Sequence, residues 1–410
     1  MKLTLKQIRQ GIGCLIVIVF ISGFSYRLGQ SRLPANNTAL RPSVVDYQNN
    51  QQVNTLDLSL FWQVYDKVSQ THLNRSTIDK AKLINGAISG MVGALEDPYT
   101  VFLPPMDNND MKADLRGDFE GVGIQIGFNA DNKVSVIAPL SGTPAEKAGV
   151  LPGDVIIRII DNTAKVDKLT EGLSLPEAVD LIRGPKGSLV KLVLARGNET
   201  PSEVSLKRDT IVVKSVELTW KKNAKNKDVA VLKLSRFGDR TEQEWNDAVI
   251  KIKQNTIAGV VLDMRNNPGG YLEGSVFIGS EFVDKGVIVK QDNGSGKIQE
   301  YQVNRKGSLV KEPLVVLING GSASAAEIVA GSLQEKGRAK FVGEKSFGKG
   351  TIQQAEDLEG GAGLHITIAR WLLPSGKSVD KEGVKPDIEV KNDEKDLTKD
   401  AQMEIALEIL

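Results

Sequence analysis

Leu314-Val315-Val316-Leu317-Ile318-Asn319-Gly320-Gly321-Ser322-Ala323-Ser324-Ala325-Ala326-Glu327-Ile328 is the stretch on which the fold turns. Five apolar residues with no alternation predict a strand buried on both faces. The small residues after them feed a helix over 323–335. The same order recurs outward from this point: residues 229–234 and Gly259–Asp263 read as short apolar strands, with helices over Thr241–Lys253 and Leu272–Phe282. From about residue 210 the chain is therefore α/β around a buried sheet. A later strand at 364–373 and a closing helix at 401–410 complete it.

Upstream, residues 105–197 read as a compact, strand-rich unit. Gly121-Val122-Gly123-Ile124-Gln125-Ile126-Gly127 is a glycine loop running into a strand, and 133–139 is a second strand. Thr143-Pro144-Ala145-Glu146 opens a short helix before a turn and another strand. Leu175–Ile182 is a helix and 188–196 a final strand. Before this unit, Leu58, Phe61, Trp62, Tyr65 and Val68, then Leu83, Ala87, Ile88, Met91 and Leu95, recur at helical spacing. They predict two helices ending at the turn Asp97-Pro98. Residues 30–55 are polar and rich in Asn and Gln, as a linker is.

At the N-terminus Lys2, Lys6 and Arg9 precede an uncharged run over 10–26, the order of a secretory signal. The run is short for a membrane span. Export to a periplasm or thylakoid lumen is expected, with residues 11–26 either cleaved or kept as a membrane anchor. The expected division is a signal or anchor at 1–29, a linker at 30–55, a helical region at 56–104, the strand-rich unit at 105–197, an α/β core at 198–392 and a terminal helix at 393–410.

Composition narrows the chemistry. The 410 residues carry a net charge of +1, which offers nothing to a nucleic acid. Cys14, the sole cysteine, lies in the N-terminal apolar run, so the body has no thiol nucleophile and no Cys-ligated metal site. The two histidines, His72 and His365, stand in no metal or triad spacing. No metal or cofactor is expected.

Three segments could carry a reaction. Ser322 or Ser324 sits where a strand enters a helix, among unpaired N–H groups that could stabilise an oxyanion. The same place suits a plain helix cap, and this segment alone leaves both open. Lys349 lies between two glycines in Ser346-Phe347-Gly348-Lys349-Gly350, flanked by apolar residues, a poor setting for an ordinary surface lysine. The spacing from Gly343 to Lys349 imitates a phosphate-binding loop, but Gly350 replaces the hydroxyl residue that would hold magnesium. Asp263-Met264-Arg265-Asn266-Asn267-Pro268-Gly269-Gly270 ends a strand in a turn whose N–H groups could face a ligand, or simply turn the chain.

Taken together these segments resemble the carboxyl-terminal processing (tail-specific) proteases. The resemblance runs from about Leu58 onward. It includes LEDPYTVFLPP (95–105), FEGVGIQIG (119–127), TPAEKAGVLPGDVI (143–156), LDMRNNPGG (262–270), GSASAAEI (321–328), GEKSFGKGTIQ (343–353) and PSGKSVDKEGVKPDI (374–388). It implies an α/β multidomain protein. A PDZ-like domain would be inserted between an N-terminal helical region and a ClpP/crotonase-like serine protease core. It implies Ser324 as nucleophile, Lys349 as base, Gln353 orienting the lysine, and the N–H groups of Gly270 and Ala325 as oxyanion hole. Protein or peptide substrates with free C-termini would bind at Gly121, Val122, Gly123 and Ile124, where consecutive N–H groups can nest a carboxylate. Arg183 is a candidate contact from the PDZ-like unit to the protease domain. A catalytically inactive PDZ scaffold is the alternative.

Overall fold

The computed structural model describes residues 57–129, 131–197, 199–392 and 399–410. The expected signal or anchor and the whole of the linker lie outside the described residues. Among those described, no helix is long and apolar enough to cross a membrane.

Of the described residues, those up to 78 form one unit and those from 79 onward a second. The first holds helix α1 (Ser59–Thr71), where Phe61 and Trp62, then Trp62 and Tyr65, meet edge to face at 5.1 and 5.9 Å.

The second unit opens with α2 (Lys80–Gly93), capped by Asp79, whose side chain accepts from Lys82 N–H. Strand β1 (Val101–Leu103) and helix α3 (Pro105–Arg116) follow. Helix α3 falls inside the expected PDZ-like range. It carries too few apolar residues to show a period, yet Pro105 at its first turn and left-handed Gly117 at its end mark both boundaries.

Next come β2 (Asp118–Gly121), β3 (Ile124–Phe128), β4 (Val134–Pro139), α4 (Pro144–Lys147), β5 (Val155–Asp161), β6 (Val166–Leu169), α5 (Leu175–Ile182), β7 (Leu189–Ala195), β8 (Ser202–Lys207) and β9 (Asp209–Val212). One sheet runs β3-β4-β5-β7-β8, with β6 paired to β5. Its core includes Val136, Ile156, Ile159, Leu192 and, from β8, Leu206. The expected edge at 197 thus cuts through the sheet: β8 pairs with β7 from Leu189↔Lys207 to Leu194↔Ser202. Strand β9 then returns to pair with β2. The lone polar turn after 195 looks like a boundary in sequence, but it is a hairpin.

The α/β core continues with β10 (Val216–Lys222), β11 (Asp228–Leu234), α6 (Thr241–Lys253), β12 (Gly259–Asp263), α7 (Leu272–Phe282), β13 (Val287–Asp292), β14 (Ile298–Gln302), β15 (Leu314–Ile318), α8 (Ala325–Glu335), β16 (Lys340–Gly343), β17 (Thr351–Asp357), β18 (Gly363–Leu372), β19 (Ile388–Glu389) and α9 (Ala401–Ile409). Its main sheet runs β10-β11-β12-β15-β16-β19, parallel except at β10. Successive residues of β15 alternate between two cores. Leu314, Val316 and Ile318 pack with Trp245 and Phe282, while Val315 and Leu317 pack with Met403 and Ala406 of α9. This is why the strand reads as an unbroken apolar run. A second, antiparallel sheet is built on β18, with β1, β13 and β17 beside it and β14 beyond β13.

Parallel neighbours β12, β15 and β16 end side by side. The three segments singled out in the sequence leave their carboxyl ends, where open α/β sheets place ligands.

Candidate active site

Ser324 precedes α8 with φ 54° and ψ −116°, outside the regions open to a residue with a side chain. Such strain costs about 1–3 kcal/mol and persists where the surroundings impose it. It resembles the sharp strand-to-helix turn that lifts a nucleophile clear of the backbone. Ser322 differs: it is fully buried, donates to Met264 O at 2.8 Å and accepts from Asn319 N–H at 3.0 Å. Of the two serines, Ser322 stitches turns together and Ser324 stands at the strained apex.

The turn after β12 lies against this apex. Asn266 and Asn319 exchange hydrogen bonds of 2.8 Å, and Ala323 N–H donates to Asn267 O. A Cβ on Gly269 would come within 2.9 Å of Ser324 Cβ, and one on Gly270 within 2.0 Å of Phe237 O. No other residue fits either position. Among the described residues, no protein acceptor takes the N–H of Gly270 or Ala325.

Glu327 joins the serine to the lysine. It is fully buried on the first turn of α8. Its Oε2 accepts Ser324 N–H at 2.8 Å and Lys349 N–H at 2.9 Å. Its Oε1 accepts Gly348 N–H and Ser346 Oγ–H, both at 2.6 Å. Four donors offset much of the cost of burying the charge. The carboxylate is legible in the sequence as the last residue of Ser-x-x-Glu, a capping-box spacing that by itself points to a helix cap and not to chemistry.

Lys349 is held by its backbone from both sides, since its carbonyl accepts from Trp371 Nε1 at 2.8 Å. The half-buried side chain lays Nζ over the Tyr99 ring, 4.9 Å from the centroid. Burial lowers its pKa from the ordinary lysine value, opposed by the charges of Asp97 and Glu327. Among the described residues no hydrogen bond joins Nζ to Ser324 Oγ. Gln353 does not hold the lysine either: its amide donates to Thr351 Oγ1 at 2.8 Å and Thr367 Oγ1 at 3.1 Å. In β17 a four-residue step from Lys349 puts Gln353 next to the hydroxyls of its own strand and of β18. His365, on β18, is pushed down by burial and then by Lys349.

In the strand-rich unit a groove of about 240 Å³ is lined by Gly121, Val122, Gly123 and Ile124 on one side and Val179, Ile182 and Arg183 on the other. The carbonyls of Val122 and Gly123 are engaged by Ala145 and Leu140 N–H. Among the described residues the N–H groups of Val122 and Gly123 have no acceptor. Strand β3 is the edge of its sheet. An extended chain could add there, with a terminal carboxylate at the free N–H groups. Arg183 stacks on Phe119 at 4.8 Å and approaches Asp110 of α3 at 3.5 Å, so its partner is the helix before the sheet, not the α/β core. Helix α3 in turn ties Asn108 and Lys112 to Asp357 of β17.

The family profile described as Peptidase family S41 matches residues 228–390. A PDZ domain matches 136–196, and the activating protease CtpB N-terminal domain matches 20–109. The carboxy-terminal processing protease CtpA of Bacillus subtilis is 35% identical over 80% of this chain and 68% of its own length. The carboxyl-terminal-processing protease of Synechocystis is 37% identical over 73% and 69%. Among solved structures, a photosystem II D1 C-terminal processing protease aligns at 30% identity, covering 82% of this chain and 94% of its own, with a TM-score of 0.50. An S41 protease from Bacteroides fragilis shares the fold at 16% identity, with a TM-score of 0.58 over 88% and 98%.

Proposed function

The chain belongs to the carboxy-terminal processing proteases, serine peptidases of family S41 that carry a PDZ domain, and on that premise we propose that it cuts with a Ser324/Lys349 dyad. The observation carrying this reading is the Glu327 carboxylate, which binds Ser324 N–H and Lys349 N–H through one oxygen. Neutral Lys349 would take the proton from Ser324 Oγ as that oxygen attacks the scissile carbonyl. The oxyanion would draw on the N–H groups of Gly270 and Ala325. The resulting ammonium would protonate the leaving amine, and a water molecule, deprotonated by the same lysine, would release the acyl enzyme. The base–nucleophile hydrogen bond belongs to the substrate complex, where such contacts tighten.

Substrates are proteins whose free C-termini enter the groove beside β3. The protein would be exported, a reading supported by Lys2, Lys6 and Arg9 ahead of the apolar run, with residues 11–26 as the anchor where they are retained. In a photosynthetic host the photosystem II reaction-centre precursor is then the substrate, in keeping with the similarity to a photosystem II D1 C-terminal processing protease.

Cleavage of an unfolded test protein decides the chemistry. Ser324→Ala and Lys349→Arg should each lose roughly a thousandfold or more in kcat/KM while melting as wild type does. Arginine keeps the charge but cannot act as base. Activity in Lys349→Arg would remove the dyad, and loss in folded His365→Ala would bring back a histidine.

A further inference from the structure

The resting position of Lys349 is built by a segment about 250 residues away. Asp97-Pro98-Tyr99-Thr100 forms a self-locked turn: Asp97 Oδ1 accepts Tyr99 N–H at 3.0 Å and Oδ2 accepts Thr100 Oγ1–H at 2.6 Å. Buried Thr100 also accepts Thr367 N–H at 3.0 Å, and Thr367 accepts from Gln353. The turn is thus fixed to β17 and β18, the strands that follow the lysine. Its Tyr99 ring lies under Lys349 Nζ.

We propose that this turn is a positioning element of the peptidase: the Tyr99 ring and the Asp97 carboxylate hold the Lys349 ammonium away from Ser324, and so set the pH at which activity switches on. The inference rests on the Ser/Lys reading. Aromatic faces and carboxylates attract an ammonium and have no comparable hold on a neutral amine. Loss of the proton and release towards Ser324 therefore go together. Burial opposes ionisation of Asp97, but its hydrogen bonds hold its pKa below the usual value, so it is charged wherever the enzyme works. The other ionisable groups facing this place are Glu327 from α8, His365 from β18 and Asp380, which acts on Tyr99 from the loop before β19. Glu327 is already committed to four donors, three of them backbone N–H groups, and His365 is pushed towards its neutral form. Asp97 and Tyr99 are therefore the groups whose removal isolates the holding effect.

The test is the pH profile of kcat/KM on a short peptide for the wild type, Asp97→Asn, Tyr99→Leu and Tyr99→Phe, with Lys349→Ala alongside. Removing a stabiliser of the ammonium moves the acid limb to lower pH. For Asp97→Asn and Tyr99→Leu the ratio of kcat/KM at pH 6 to that at pH 9 should rise roughly threefold or more. Tyr99→Phe keeps the ring face and should keep the wild-type limb. Limbs that superimpose, or a uniform loss at every pH in all three variants, overturn the inference, because a merely structural turn would not move the midpoint. Cleavage by Lys349→Ala removes the Ser/Lys reading and this inference with it. An inactive Lys349→Ala beside unmoved limbs overturns the inference alone.

Discussion

At the scale of single residues, the two serines two positions apart show how a strand end divides its labour. Ser322 is buried and satisfied on both sides, while Ser324 carries the strain at the entrance to α8. Ser322→Ala would leave the Asn319 N–H without its acceptor, at a cost of about 1–3 kcal/mol. Calorimetry should find a lowered melting point, and folded enzyme should still cleave. A dead but normally stable Ser322→Ala would mean that the nucleophile has been misplaced. The sequence displayed the turn holding Ser322 and Ser324, Lys349 and Gly270 because strand ends, glycines and small residues announce themselves locally, and only the family resemblance separated the two serines. It hid Tyr99, since nothing near residue 99 says that a lysine will lie upon it.

At the scale of elements, α9 is fastened to the strand that delivers the oxyanion turn. Arg265, just past β12, pairs with Asp263 and with Asp400, which also caps α9 by accepting from Met403 N–H. Burial works against the Asp400 charge, yet Arg265 and the Met403 N–H hold its pKa below the usual value. A carboxyl depressed in the folded state adds stability above its unfolded pKa and loses it as pH falls through the folded one. Asp400→Asn should therefore melt below the wild type at neutral pH, with the gap closing in acid below the ordinary carboxylate range. A gap independent of pH would deny the ion pair its role. Most of the helices and the parallel strands β11, β12 and β15 were legible, the helices by their apolar spacing and the strands by unbroken apolar runs buried on both faces, whereas the polar helix α3 and the short parallel strands β16 and β19 gave no such signal. Strands β8, β9, β13, β14 and β17 were not legible, because most of them expose one face and their pairing depends on distant partners.

For the molecule as a whole, the groove beside β3 and the strained Ser324 turn lie in different parts of one chain. The edge strand β3 and the free N–H groups of Val122 and Gly123 can receive a C-terminus. Arg183 lines that groove and reaches Asp110, while Asn108 and Lys112 of the same helix reach β17, which follows Lys349. Arg183→Ala should slow cleavage of protein substrates if this contact bears on catalysis, and wild-type rates would make it a surface arginine. Recognition in the groove depends on the substrate's terminus being bound as a carboxylate. The most direct measurement is the cleavage of one apolar-ended peptide in two forms, with a free and with an amidated C-terminus. A charge-assisted hydrogen bond is worth about 1.5–3 kcal/mol, so amidation should cost roughly tenfold or more in kcat/KM, chiefly through KM. Equal efficiency on the two peptides would contradict it.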